Sequence, residues 1–119
     1  MKIDISFPDR KISEAFLEFA EPLFDKEGPP PTPEEAEKVL RLAFVVWNAV
    51  VYDTVHGNTE WMTRVRNQVA NERPIAAFVE QLIERKKNLF GHDLRLVGEY
   101  KVIEKDGEWR LRVEARTPS

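Results

Sequence analysis

The sequence predicts an α+β fold. About four helices, with a long apolar helix at the centre, pack on one face of a small antiparallel-type sheet made from an N-terminal strand and a C-terminal hairpin. Three observations predict it. Apolar residues alternate with period two at both ends of the chain. Between those ends they recur at spacings of three and four. And 119 residues are enough for one domain, spanning 1–119, with a core that needs no disulfide or metal.

At the N-terminus, Ile3, Ile5 and Phe7 alternate with Lys2, Asp4 and Ser6, the period of a half-buried strand, and Pro8 ends it. Ile12, Phe16, Phe19 and Leu23 then fall at i, i+4, i+7 and i+11, one stripe of a first helix. Pro22 removes a backbone hydrogen bond from that helix, so a kink or break is expected near Glu21. "KEGPPPTP" reads as a stiff connector of polyproline type. Thr32-Pro33-Glu34-Glu35 opens the second helix, with a capping threonine, a proline at the first helical position and a glutamate to complete a capping box.

From Leu42 to Tyr52 ten of eleven residues are apolar, and the exception is Asn48. The valines at 45, 46, 50 and 51 would suit a strand, but the cap and the run "EEAEKVLRLA" decide for a helix, which Gly57 stops. A helix apolar on all sides belongs in the middle of a bundle. Asn58 or Thr59 can cap a third helix, with Trp61, Met62, Val65 and Val69 on one face. Pro74 opens a fourth, whose stripe is Ile75, Phe78, Val79, Leu82, Ile83 and Leu89/Phe90, ended by Gly91. Arg85, Lys86 and Lys87 lie in its last turns, where cations complement the helix dipole.

Leu94, Leu96, Tyr100 and Val102 return to alternation, Asp106-Gly107 signals a two-residue hairpin turn, and Trp109, Leu111, Val113 and Ala115 alternate after it. Pairing across that turn puts Val102 opposite Leu111 and Tyr100 opposite Val113, which makes one face continuously apolar. It also sets Lys101 opposite Arg112 and Glu99 opposite Glu114, a mild like-charge conflict. A shift by one residue would mix the faces at far greater cost. A hairpin alone is marginal, so the N-terminal strand is expected as the third member.

A charged fraction of 33% predicts a strongly solvated surface. There is no cysteine, which excludes disulfides, zinc thiolates and cysteine nucleophiles. "MKIDISFPDR" lacks the apolar run of a signal peptide, and the apolar block near 42–52 is shorter than the roughly 20 residues a bilayer needs, so a cytoplasmic location without membrane contact is expected. Residues 1–60 hold 6 Lys/Arg against 12 Asp/Glu and residues 61–119 hold 12 against 9, an asymmetry that fits one half folding against the other. No serine lies in a Gly-x-Ser-x-Gly elbow and no glycine-rich phosphate loop occurs, so no catalytic residue is assigned.

Two clusters stand out. Asn48, Tyr52 and His56 follow one another at helical spacing, and Asp53 sits three residues before His56, so the four could form a small ligand-binding strip. Asp-x-x-His resembles half of a carboxylate–histidine metal motif, but no matching ligands follow on other helices, and no metal or cofactor is expected. The structural alternative is that Asn48 makes a cross-helix hydrogen bond and Asp53 helps hold a dipole-stabilised His56. The second cluster, "RKKNLFGHDLR", mixes Arg85, Lys86, Lys87 and Arg95 with Phe90 and His92, the composition of a nucleic-acid surface. The acidic balance, with a pI near 5.5, speaks against it.

The leading expectation is therefore a non-enzymatic protein-interaction module or accessory subunit, with a protein partner and a candidate homodimer interface involving Trp61 or Trp109. A small-molecule or metal-dependent site at Asn48/Tyr52/Asp53/His56 is the first alternative, and nucleic-acid binding through Arg85–Arg95 the second.

Overall fold

A computed structural model describes residues 11–24, 32–106 and 108–118, with backbone only at 105, 108 and 109. Helix α1 spans Ile12–Ala20 and runs into a 3-10 turn at Glu21–Leu23, where Pro22 was expected to break it. Helices α2 (Pro33–His56), α3 (Glu60–Gln68) and α4 (Arg73–Leu89) follow, then strands β1 (Leu96–Lys105) and β2 (Glu108–Arg116). The four helices pack with a two-stranded antiparallel sheet, an α+β arrangement. The expected N-terminal strand falls outside the described residues.

The long helix starts as its sequence dictates. Thr32 Oγ1 accepts from the Glu35 N–H at 3.2 Å, and Glu35 Oε1 accepts from the Thr32 N–H at 3.3 Å, a complete capping box. It stops at Gly57, whose φ of 68° is a left-handed conformation that glycine adopts without strain. At 24 residues, with an 18-residue window of mean hydropathy 1.2, α2 is long and apolar enough to cross a bilayer, although its uninterrupted apolar block is not. In the fold part of its apolar surface is covered: Leu40, Ala43, Val46, Trp47 and Val51 are fully buried, whereas Leu42, Phe44 and Val45 are half-buried and Val55 is exposed.

Trp47 is the hub of the core. Its ring meets Phe16 edge-on at 6.0 Å between centroids, Phe19 at 5.3 Å and Phe90 at 5.8 Å, and so joins α1, α2 and the end of α4. Burying an indole requires a partner for its N–H; Trp47 Nε1 donates to the Arg95 carbonyl at 2.8 Å, just before β1. On the sheet, Tyr100, Val102, Leu111 and Val113 face this core, with Tyr100 packed between Phe16 and Phe44.

The hairpin pairs Val102 with Leu111, Tyr100 with Val113, Lys101 with Arg112 and Glu99 with Glu114, the expected register. The apolar face decides it, and the like charges are tolerated on the outer face, where Glu99, Lys101, Arg112 and Glu114 are exposed to water. Asp106 occupies the turn with φ 56°, as a two-residue hairpin requires. One irregularity departs from the alternating pattern of the strand. Between Val97 and Glu99 the register slips at Gly98, a bulge that turns the first two residues of β1 toward α2.

On α4 the expected stripe is half right. Val79, Leu82, Ile83 and Phe90 are buried, whereas Ile75, Phe78 and Leu89 are exposed. Arg66 on α3 and Glu80 on α4 form a two-point ion pair at 2.7 and 3.0 Å that links the helices at the surface. Its hydrogen bonds lower the Glu80 pKa and raise that of Arg66.

Candidate functional site

The four residues of the α2 strip separate into three environments. Asn48 turns to the sheet. Its Nδ2 donates to the Val97 carbonyl at 2.9 Å and its Oδ1 accepts from the Val97 N–H at 2.8 Å. The half-buried amide does find partners, but they belong to a strand and not to a neighbouring helix, which corrects the expected cross-helix bond. The bulge at Gly98 explains this, because it leaves both polar groups of Val97 facing α2 instead of β2.

Asp53 turns to the next helix. Its side chain is buried, Oδ1 accepts from the Trp61 N–H at 3.0 Å, and Oδ2 from the Met62 N–H at 2.8 Å. These are two of the orphan donors at the start of α3, where helix-dipole charge also favours a carboxylate. A residue eight positions upstream thus does the capping expected of Asn58 or Thr59; Thr59 makes no side-chain cap bond, and Asn58 Oδ1 accepts from the Glu60 N–H at 3.2 Å.

Tyr52 and His56 stay at the surface. Their rings stack at 6.1 Å with 9° between planes, and His56 Nδ1 lies 2.9 Å from the Tyr52 carbonyl oxygen. Trp61 lies against the other ring neighbour, 5.7 Å from Tyr52 at 29°, and Arg64 places its guanidinium 4.8 Å from the Trp61 ring centroid. The order along this stack is His56, Tyr52, Trp61, Arg64. Spacing sets Trp61 on one face of α3 with Met62, Val65 and Val69, and Trp61 is also a candidate interface residue. It is 41% exposed, while Met62 and Val65 are buried. Asp53 fixes where α3 begins by holding the Trp61 and Met62 N–H groups, and position 61 then falls at the edge of the face shared by Met62, Val65 and Val69.

The basic segment is also divided. Lys86, expected as a surface cation, is only 1% exposed. Its ammonium donates to the carbonyls of Phe90 at 2.6 Å and Asp93 at 2.7 Å and sits 4.3 Å from the Trp47 ring centroid. Burial pushes its pKa down to about 8, a shift that Asp93 opposes and Arg95 reinforces. Arg95 reaches Asp93 with two guanidinium bonds of 2.8 and 2.6 Å, and the Asp93 carboxylate raises its pKa further. Arg85 donates to the carbonyls of Phe19 at 3.2 Å and Glu18 at 2.7 Å, at the end of α1. Of the four cations only Lys87 lies fully exposed. Position already marked Lys86 as inward: it follows Val79 by seven residues, Leu82 by four and Ile83 by three, on the core stripe. The side chain of Trp109 lies outside the described residues.

No protein-family model, curated protein or solved structure matches this chain. Among the described residues, no three His, Asp or Glu side chains gather closely enough to hold a metal ion. Beside β1 a groove of about 560 Å³ is lined by Phe44, Tyr100 and the outer-face charges Glu99, Lys101, Arg112 and Glu114. Its two cations and two carboxylates balance, so the lining selects no charge class of small molecule.

Proposed function

We propose that the protein is a non-enzymatic interaction module of the cytosol, an accessory subunit that docks a protein partner on the stack of Tyr52, Trp61 and Arg64. The observation that carries this reading is the half-exposed Trp61 ring, held between Tyr52 and the Arg64 guanidinium. Trp, Tyr and Arg dominate the energetics of interface centres. A ring already fixed by its neighbours loses little freedom on binding. Val55, in the last turn of α2 three residues after Tyr52, is 41% exposed.

The inward groups support the reading from the other side. Asn48, Asp53, Lys86, Asp93 and Arg95 each hydrogen-bond to backbone or to one another within the fold. The test compares wild type with Trp61→Ala, both confirmed folded by circular dichroism, as baits in cell extract. The reading expects a protein retained in stoichiometric amount by wild type and at least tenfold depleted on the variant. Identical sets of retained proteins on both baits would contradict it.

A further inference from the structure

Among the described residues β2 has one neighbour, β1, and nothing pairs with its other side. The two-residue turn fixes which groups face that side. In an antiparallel ladder, opposed residues alternate between exchanging both backbone bonds and exchanging none. Counting from the closing pair Lys105–Glu108, the N–H and C=O groups of Leu111 and Val113 point away from β1. The bulge agrees with this count, since Val97, opposite Ala115, sends its own groups outward to Asn48. The side chains of Leu111 and Val113 are only half covered by the helices.

We propose that a second copy of this chain pairs antiparallel with β2, with the twofold axis at Arg112, to form a continuous four-stranded sheet. In that register Leu111 lies opposite the second copy's Val113, and the apolar face runs unbroken across the axis. On the outer face Arg110 lies opposite the second copy's Glu114, twice by symmetry, against one like-charge meeting of Arg112 with itself. The neighbouring registers are worse or shorter: an axis at Arg110 opposes Glu108 to Arg112 twice against one meeting of Arg110 with itself, but it pairs only residues 108–112 of each strand instead of 108–116. An axis at Leu111 opposes Arg110 to Arg112 twice. An axis at Val113 opposes Arg110 to Arg116 twice, which cancels its two Arg112–Glu114 pairs. An axis at Glu114 opposes Glu114 to itself and Arg112 to Arg116. Shifts that exchange odd for even positions put Leu111 on the charged face. Within one chain, the described residues form no ion pair within 4 Å at Arg110, Arg112 or Glu114, although all three are exposed. Their charge is available for the second copy. This surface is on the sheet, separate from the Trp61 stack, and the proposal stands independently of the partner reading.

The experiment is sedimentation equilibrium on the full chain from 1 to 100 micromolar, with folding checked by circular dichroism. Wild type should approach twice the 13.9 kDa of one chain. Glu114→Arg and Arg110→Glu, each alone, should weaken the dimer at least tenfold, because each creates two like-charge meetings. Neither should harm the hairpin, since Glu114 opposes Glu99 and Arg110 opposes Ile103. The double variant carrying both reversals should recover the dimer. A monomer throughout, including one whose edge is covered by its own N-terminal residues, overturns the proposal. So does a dimer insensitive to the single reversals, or one the double variant fails to restore.

Discussion

Asn48 gives Val97 both hydrogen bonds that a neighbouring strand would give it, donating to its carbonyl at 2.9 Å and accepting from its N–H at 2.8 Å. One side chain therefore closes the exposed edge of β1 where the strand begins, which a short sheet must do somewhere to avoid promiscuous pairing. The preceding residue, Trp47, adds a bond to the Arg95 carbonyl, so two adjacent positions of α2 hold the first turn of the strand.

Asn48→Ala is expected to destabilise the fold by about 1–3 kcal/mol, the cost of leaving two partly buried backbone groups without partners. Asn48→Asp should be nearly as damaging, because a carboxylate cannot donate to the Val97 carbonyl. Urea denaturation followed by tryptophan fluorescence checks both. An unchanged midpoint in Asn48→Ala would mean that water replaces the amide and that the strand start is not pinned.

Lys86 predicts an unusual pH dependence. Its folded pKa is about 8, below the ordinary 10.5. Between those values the unfolded chain binds the proton that the folded chain has released, so this group makes stability rise with pH, by at most about 1.4 kcal/mol per pH unit. The neutral amine still has two hydrogens for the carbonyls of Phe90 and Asp93, so deprotonation need not open the corner. Unfolding free energies of wild type and Lys86→Met at pH 7.5 and pH 10 isolate the effect. The difference should move in favour of wild type at the higher pH, and a move the other way would show that the ammonium is stabilised where it lies.

Gly91 and Gly57 both follow helices, for different reasons. A Cβ at Gly91 would lie 2.6 Å from the Lys87 carbonyl oxygen, and backbone must move to admit it. Gly91→Ala is therefore expected to cost about 1–3 kcal/mol, in the range of steric overpacking. At Gly57 there is open space but φ is +68°, so Gly57→Ala should cost about 1 kcal/mol and Gly57→Asn less. Thermal melts of the three variants give the order directly; a Gly91→Ala melt matching wild type would contradict the close approach.

What the sequence made legible was local. The capping box at Thr32 and Glu35, the break at Pro22 and the hairpin register each depend on residues near one another in the chain, and each is found as read. What it concealed was distant or counter to residue type. Nothing near Asn48 announces Val97, 49 positions away, because the bulge that exposes those groups comes from one glycine in a strand. Asp53 beside His56 suggests a pair within one helix, yet its oxygens go to Trp61 and Met62. Lys86 sits on the core stripe by spacing, but a lysine in the last turns of a helix also suits the dipole, so its charge points outward where its position points inward. Spacing groups Trp61 with Met62, Val65 and Val69, but it lies at the edge of the face those three share and is 41% exposed.

The central claim is a division of labour: inward polar groups hold the fold, and the outward aromatic stack is left for recognition. Equilibrium denaturation of Asp53→Ala beside Trp61→Ala tests it most directly. Asp53→Ala strands the first N–H groups of α3 and should lower stability by about 1–3 kcal/mol. Trp61→Ala removes a half-exposed ring and should lower it by less than about 1 kcal/mol. The reverse order, with Trp61 the larger loss and Asp53 nearly silent, would contradict the account, because it would make the stack a structural element and leave the buried carboxylate without a structural task.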